Sequence, residues 1–232
     1  MHIITLMDTA DVKVTPHIVV YIDFLGTGDK IQKENGEPAL KEIYEIYHSA
    51  LSYKQRKKTE LDFQKIKVKV FSDNILIAIP SPAINDLTSL QKILSFAASI
   101  QLKAFIEYNW LIRGGVSYGY LYLDEVFVWG DALLDAYRIE STVAKYPRIV
   151  ISGDIISELD NKNINKLNIC YDNSDGCYFL SYMEHSNMIK FEGELDSLNE
   201  RCQNLIKKYS SEPEILPKYI WLRDYHHHLC LK

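Results

Sequence analysis

Two acidic residues lie at positions where a metal ion could be bound. Asp23 ends the apolar run HIVVYID, and Asp73 lies between two strand-like runs in KIKVKVFSDNILIAIP. Only Ser72, Asp73 and Asn74 separate those runs, which predicts a short hairpin with Asp73 at its tip. If the first strand lies beside this hairpin, both carboxylates reach one edge of the sheet. Paired carboxylates suit a hard divalent cation such as Mg²⁺ or Mn²⁺.

Each acid also has a purely structural interpretation. Asp is common in tight turns because its carboxylate accepts hydrogen bonds from nearby backbone, so Asp73 taken alone is more simply a turn residue. Asp23 follows the apolar run HIVVYI, where an ionised carboxylate is costly unless a cation meets it. Taken together, the pair favours a metal site. The turn after Asp23 could also bind a polyphosphate through backbone N–H groups, and the residues concerned are Phe24, Leu25, Gly26 and Thr27.

Composition and charge narrow the class of protein. The chain has 232 residues, 47% of them hydrophobic and 25% charged, which is typical of a globular protein. Its formal charge of −5 gives no general attraction to nucleic acid, so a phosphate-bearing ligand needs a local site or metal ions. No apolar run approaches the roughly 20 residues of a membrane span, and the N-terminus lacks signal-peptide order. We therefore expect a cytoplasmic protein with no nucleic-acid partner.

The order of predicted elements indicates an α+β fold. The first strand and the hairpin are joined by a helix, and a second helix, two strands that pivot near Gly119, a third helix and the strand PRIVIS follow. The predicted helices cover about residues 38–53, 85–108 and 131–145. This order predicts a ferredoxin-like or palm-type antiparallel sheet with helices on one face. On the first helix, Tyr44 and Tyr47 are expected in the core.

The motifs resemble the catalytic domain of the class III nucleotide cyclases over about residues 17–152. YIDFLGT is similar to the first metal motif of that family, and FSDNILIAI resembles the second, with Ser72 in place of the usual Gly. RGGVSYG, residues 113–119, is similar to the Arg-Xaa-Gly-Ile-Xaa-Xaa-Gly pattern of the next strand. WGDALLDAYR has Gly130 and Arg138 at the spacing of the helix that carries a catalytic Arg.

The resemblance implies a reaction and a set of site residues. Asp23 and Asp73 hold two divalent cations, Mn²⁺ or Mg²⁺, the ribose 3′-hydroxyl attacks the α-phosphate, and pyrophosphate leaves. Arg138 stabilises the transition state from the other subunit of a homodimer with composite active sites. The expected nucleotide-binding residues are Phe24, Leu25, Gly26, Thr27, Lys69, Arg113 and Phe127. Residues 1–160 form the cyclase-like domain, and residues 161–232 form a C-terminal α/β extension packed on the same domain.

Departures from the family pattern bear on which nucleotide base the chain would bind. Leu134 stands where purine cyclases have an Asn, and Phe127 stands where adenylyl cyclases have a polar base-reading residue, although Lys69 matches their base-reading Lys. A bulky apolar ring at Phe127 suits a smaller base. The short chain, with YIDFLG, FSDNI, LIRGGVSYG and WLRDYHH, resembles the bacterial pyrimidine cyclases of the Pycsar anti-phage system. This closer resemblance implies conversion of UTP or CTP to cyclic UMP or cyclic CMP, a messenger read by a separate effector protein.

Other interpretations stay open at this stage. The chain could be an adenylate or guanylate cyclase with Lys69 reading the base, or a catalytically inactive cyclase-like module for dimerisation or nucleotide sensing. The missing Asn at Leu134 favours the inactive module, whereas the two acids and Arg138 oppose it. Arg113 could bind phosphate or base, or form an ion pair beneath the sheet. Arg138 and Lys69, read alone, are ordinary solvated residues.

Overall fold

The computed structural model describes residues 12–32, 36–56, 64–185 and 192–230. The strands within these ranges are β1 (Thr15–Phe24), β2 (Lys67–Phe71), β3 (Asn74–Pro80), β4 (Ile112–Leu123), β5 (Val128–Trp129), β6 (Ile149–Ile151), β7 (Ile169–Asp172) and β8 (Cys177–Leu180). The predicted strands at the N-terminus, at the hairpin and at PRIVIS are therefore confirmed.

The helices of the same ranges are α1 (Thr27–Gln32), α2 (Glu37–Arg56), α3 (Leu87–Tyr108), α4 (Asp131–Arg138), α5 (Gly153–Ser157), α6 (Asn161–Lys166), α7 (Tyr182–His185), α8 (Glu192–Lys208) and α9 (Leu216–Cys230). A π-helical turn, Ile139–Val143, continues α4. None of the described helices has the length and the apolar composition needed to cross a membrane.

The described strands form one mixed sheet. Its order is β2-β3-β1-β4-β6-β8-β7, and β5 pairs with β4 outside this path. β1 is antiparallel to both β3 and β4, so it lies at the centre beside the hairpin, as the sequence predicts. β4 and β6 are parallel because the chain crosses over through α4 between them. The α+β fold is confirmed, with one parallel pair in a sheet that is otherwise antiparallel.

Both faces of the sheet are covered, so the prediction of helices on one face is wrong. Ile18, Val20 and Ile22 of β1 belong to the large core that includes side chains of α2, α3, α8 and α9. Val19 and Tyr21 point the other way and pack with Ala132 and Ala136 of α4, as part of a second, smaller core. Because β1 is apolar at successive positions, each face of the strand needs a covering layer.

Helix α4 approaches β4 closely because of glycines in β4. A Cβ atom on Gly115 would lie 2.3 Å from the Ala136 carbonyl oxygen, and one on Gly119 would lie 2.7 Å from Asp131 Oδ1. The predicted pivot near Gly119 is wrong: β4 continues through Gly119 to Leu123, and the turn to β5 follows. Gly119 instead leaves room for the Asp131 carboxylate, which accepts the Tyr120 N–H at 2.6 Å.

The buried stripe of α2 differs from the expected one. Ile43, Ile46 and Ala50 face the core, whereas Tyr44 is 58% exposed and Tyr47 is half-buried. The prediction that Tyr44 lies in the core is wrong. The three core residues recur at spacings of three and four, and this stripe is too narrow to include the neighbouring Tyr44.

Residues after position 160 contribute to the same sheet and the same core. β7 and β8 extend the sheet beyond β6, and side chains of α8 and α9 join the core beneath α3. Arg148, 1% exposed at its side chain, donates to Asp172 and Asp175 of the β7–β8 hairpin. Its guanidinium also lies 5.5 Å from the Trp221 ring centroid on α9. These contacts join the last third of the chain to the sheet.

The close approach of α4 gives a stability prediction. Gly115→Ala should lower the free energy of unfolding by at least about 2 kcal/mol, because the new methyl group displaces α4 from β4. Gly153→Ala is the matched control, since its Cβ meets nothing within 4 Å, and it should change stability by less than about 0.5 kcal/mol. Urea unfolding followed by circular dichroism measures both. Equal stability of the two variants would contradict the packing described.

Candidate active site

The structure places Asp23 and Asp73 at the same edge of the sheet. Asp23 pairs with Asn74 in the β1–β3 register, and Asp73 immediately precedes Asn74. The Phe24 N–H donates to the Asp73 carbonyl at 3.2 Å, which joins the hairpin tip to the end of β1. Ser72 holds φ of +55° at the tip, a left-handed conformation that glycine adopts more easily. This explains why Gly is the usual residue at that position of the resembled motif.

Local side chains orient the Asp73 carboxylate. The Thr27 hydroxyl donates to one of its oxygens, and the Asn74 amide donates to the other at 3.1 Å. The Tyr21 hydroxyl in turn donates to the Asn74 amide oxygen at 2.8 Å, which turns the NH₂ group toward Asp73. These donors hold the Asp73 carboxylate in place. Because they are neutral groups, they do not neutralise its negative charge.

Arg113 lies between two carboxylates at this edge. Its Nε is 3.1 Å from Asp23 Oδ2 and 2.6 Å from Glu140 Oε1. Burial raises the pKa of Asp23, Arg113 opposes that effect, and the negative charge of Asp73 adds to it. Burial likewise raises the pKa of Glu140. Of the two interpretations of Arg113, the ion pair is present, and Asp23 and Glu140 share one guanidinium.

Glu140 is a site residue that sequence analysis did not predict. It lies in the π-helical turn after α4, and its side chain is 3% exposed. Local sequence carries no signal for this role, because Glu140 meets Arg113 of β4 only when α4 packs against the sheet.

Arg138 is not brought to the two acids within one chain. Its side chain is 72% exposed and pairs with Asp135 of the same helix at 3.1 Å. It lines a cavity of about 470 Å³ together with Ser117, Asp154 and Tyr178. Arg138 is therefore presented to the outside of the molecule, on the surface of α4.

The turn after Asp23 offers fewer free N–H groups than the sequence suggests. The Phe24 N–H bonds the Asp73 carbonyl, and the Leu25 N–H bonds the Leu111 carbonyl at 2.9 Å. These two groups cannot bind a phosphate while the sheet is intact, because hydrogen bonding at the sheet edge continues through them. The backbone N–H groups of this turn that could still bind a phosphate are those of Gly26, whose φ is +81°, and Thr27, which begins α1. The Phe24 ring packs edge-on against Trp110 in the core.

Lys69 and Phe127 lie at one corner of the molecule. Lys69 on β2 donates its ammonium to the Glu125 carbonyl, in the turn between β4 and β5. In the same turn the Phe127 N–H donates to Asp124 Oδ1 at 2.6 Å, and the Phe127 side chain is 65% exposed. Lys69 and Phe127, the two residues expected at the base-reading positions, thus both contact the β4–β5 turn, and the Lys69 ammonium is hydrogen-bonded to a backbone carbonyl.

The carboxylate edge fits a divalent cation. Among the residues that the structure describes, no group of three or more His, Cys, Asp or Glu side chains is arranged to hold a metal ion. Mg²⁺, however, is usually bound by one or two carboxylates together with substrate phosphates and water. Asp23 and Asp73 supply hard oxygen ligands, and their mutual repulsion is relieved by a cation between them. They could hold Mg²⁺ or Mn²⁺ that arrives with a triphosphate.

Comparisons with solved structures identify the fold of the chain. No family model and no curated protein matches the sequence. The crystal structure of the adenylyl cyclase CyaB from P. aeruginosa is similar with a TM-score of 0.52 at 15% identity, over 73% of this chain and 95% of that one. The chain has the fold of a nucleotide cyclase catalytic domain.

A second solved structure has the same fold. The catalytic core of a rhodopsin-guanylyl cyclase with converted specificity, in complex with ATPαS, gives a TM-score of 0.52 at 16% identity, over 73% of this chain and 97% of that one. At this identity the likeness concerns the fold alone. It confirms the cyclase-type architecture that the motifs predict.

The ion pair of Arg113 gives a prediction with a defined pH dependence. Arg113→Met should lower the free energy of unfolding at pH 7 by about 2 to 3 kcal/mol, because Asp23 and Glu140 lose their shared cation. The loss should be smaller at pH 5. In the variant the folded-state pKa of these carboxyl groups lies above the unfolded value, so the folded state gains relative stability as pH falls.

Urea unfolding of Arg113→Met and wild type at both pH values measures this effect. Arg223→Met is the control, since Arg223 is an exposed side chain paired with the exposed Asp224, and it should cost less than about 1 kcal/mol. A loss for Arg113→Met that is equal at pH 7 and pH 5 would contradict the shared ion pair.

Proposed function

We propose that this chain is a metal-dependent nucleotide cyclase that converts UTP or CTP to the 3′,5′-cyclic mononucleotide and pyrophosphate. The observation that carries the proposal is the placement of Asp23 and Asp73 at one sheet edge of a nucleotide cyclase fold. Two carboxylates at that edge, beside a glycine turn, are suited to a divalent cation and the triphosphate that it accompanies.

The reaction is an intramolecular displacement at phosphorus. The ribose 3′-oxygen forms a bond to the α-phosphorus and loses its proton to water, while the bond from the α-phosphorus to the bridging oxygen breaks. Pyrophosphate leaves with that bonding pair. A bound divalent cation supplies charge neutralisation for the phosphate oxygens. The protein supplies position: Asp73 is held by Thr27 and Asn74, and Asp23 is held by Arg113.

An exposed apolar surface around α4 supports a homodimer. Leu134 and Tyr137 on α4 are 56% and 50% exposed, and Phe127 and Trp129 near β5 are 65% and 69% exposed. Large apolar side chains concentrated on one surface are typical of a protein interface. A second copy covering this surface would carry its own exposed Arg138 toward the first chain, where charge develops on the phosphate.

The base is proposed to be a pyrimidine. Phe127 presents an exposed apolar ring two residues after Glu125, whose carbonyl accepts the Lys69 ammonium. Leu134 offers no side-chain hydrogen bond where purine cyclases have an Asn. These departures support a smaller base over adenine or guanine. The Pycsar resemblance extends the proposal to a cyclic UMP or cyclic CMP messenger, read in the cytoplasm by a separate effector during anti-phage defence. An adenylate or guanylate cyclase and an inactive module are the alternatives.

The carboxylate pair gives the first functional prediction. Asp23→Asn and Asp73→Asn should each abolish conversion of UTP or CTP to a cyclic product, since a neutral amide oxygen is a much weaker ligand for Mn²⁺ than a carboxylate and does not neutralise its charge. Asp224→Asn, at an exposed pair on α9, is the control and should keep normal turnover. Product is measured by mass spectrometry, and folding by circular dichroism. Normal turnover in either site variant would rule out the metal assignment.

Arg138 gives a second prediction, on the composite site. Arg138→Ala should lower turnover by two to three orders of magnitude, about 3 to 4 kcal/mol of transition-state stabilisation. Mixing Asp73→Asn chains with Arg138→Ala chains should restore turnover, because a heterodimer then has one intact site. Each variant alone, at the same total concentration, is the control. Absence of rescue in a mixture that does form heterodimers would place the site within one chain.

A further inference from the structure

A cavity of about 410 Å³ lies between the turn that follows Asp23 and the helices α8 and α9. Leu25 and Gly26 of the turn form part of its wall, and α1, α8 and α9 contribute Lys30, Lys208 and Lys218. Lysines from three separate helices therefore line a space that borders the proposed phosphate turn. Glu212 is the acid in this wall, so the lining carries a net positive charge among the residues described there.

Lys30 is held at the wall by an aromatic ring. Its ammonium lies 3.3 Å from the centroid of Trp110, a cation–π contact. The Trp110 indole N–H donates to Glu42 at 2.6 Å, which fixes the ring under the ammonium. Burial lowers the pKa of Lys30, and the positive charge of Lys208 lowers it further while Glu42 opposes this. The ammonium of Lys208 in turn lies 5.0 Å from the centroid of the Tyr209 ring, and both lysines line the same cavity.

Lys218 links this cavity to the carboxylate edge. It is half-buried in the first turn of α9. Burial lowers its pKa first, and the positive charge of Arg113 lowers it further, while Glu214 and Asp23 act in the opposite direction. Lys218 lines the same cavity as Gly26, three residues after Asp23. An amino group on α9 therefore borders the turn that follows the proposed metal ligand.

We propose that Lys218, with Lys208 and Lys30, binds the β- and γ-phosphates of the nucleoside triphosphate and the pyrophosphate that leaves. The inference rests on the proposed function and identifies where the leaving group lies. A pyrophosphate group is a compact, multiply charged anion, and ammonium groups that line one cavity can each form a charge-assisted hydrogen bond with it. The chain as a whole has a formal charge of −5, so such an anion needs a local group of cations.

The C-terminal helices thereby complete the phosphate site from within the same chain. The turn supplies Gly26 and Thr27, and the carboxylate edge supplies the cation ligands, but Lys208 and Lys218 belong to α8 and α9. Residues outside the resembled cyclase motifs therefore contact the substrate in this proposal. This gives the region after residue 160 a role in catalysis in addition to its role in the core.

Binding of pyrophosphate tests the inference directly. Lys218→Gln and Lys208→Gln, in the full chain, should each weaken binding of pyrophosphate in the presence of Mg²⁺ about tenfold, and the double variant further, as measured by isothermal titration calorimetry. Lys207→Gln is the matched control, because Lys207 is the exposed neighbour of Lys208 and does not line the cavity. It should keep the wild-type affinity. Unchanged pyrophosphate affinity in both site variants would overturn the inference.

Comparing the binding of triphosphates with that of monophosphates tests whether the lysines contact the β- and γ-phosphates or another part of the nucleotide. The two site variants should weaken binding of UTP or CTP about tenfold and leave UMP or CMP unchanged, since a monophosphate lacks the β- and γ-phosphates. Equal losses for the triphosphate and the monophosphate would show that the lysines act elsewhere and would overturn the inference. Thermal unfolding of each variant confirms that the fold is retained.

These measurements do not depend on turnover. If the chain binds pyrophosphate through these lysines but forms no cyclic nucleotide, the lysine site is supported and the proposed function is wrong. If the lysine variants form cyclic product normally and their affinities for pyrophosphate and triphosphate are unchanged, the proposed function is supported and the lysine site is wrong.

Discussion

The arrangement of this molecule depends on an excess of negative charge at one edge of its sheet. Asp23, Asp73 and Glu140 come from three distant parts of the chain, and Arg113 is the cation paired with two of them. Carboxylates so placed repel one another and lose hydration, which raises the pKa of Asp23 and Glu140. The edge would therefore be stabilised by additional positive charge, and under the proposed function a divalent cation that accompanies a triphosphate supplies it.

The layers around the sheet hold these groups in place. Gly115 allows α4 to approach β4, and the π-helical turn after α4 directs Glu140 toward Arg113 while Arg138 stays outside. On the other face, α8 and α9 pack in the large core and present Lys208 and Lys218 at the cavity beside Gly26. Packing on the two faces thus places anionic groups at the sheet edge and cationic groups beside it.

The sequence predicted the features that depend on local pattern. The run before Asp23 and the three-residue tip around Asp73 were enough to place both acids at one edge, because strand alternation and hairpin length restrict the register. The face covered by α4, the path of β4 through Gly119 and the exposure of Tyr44 depend on packing between distant segments. Glu140 and Lys218 were missed for the same reason, since each becomes a site residue only through tertiary contacts.

Identification of the reaction product tests the central claim most directly. The purified 232-residue chain is incubated separately with ATP, GTP, CTP and UTP, each with Mn²⁺ and with Mg²⁺, and the products are identified by mass spectrometry. The account predicts cyclic UMP or cyclic CMP with an equal amount of pyrophosphate. Cyclic AMP or cyclic GMP as the main product would contradict the pyrimidine assignment, and no cyclic product under any condition would contradict the cyclase itself.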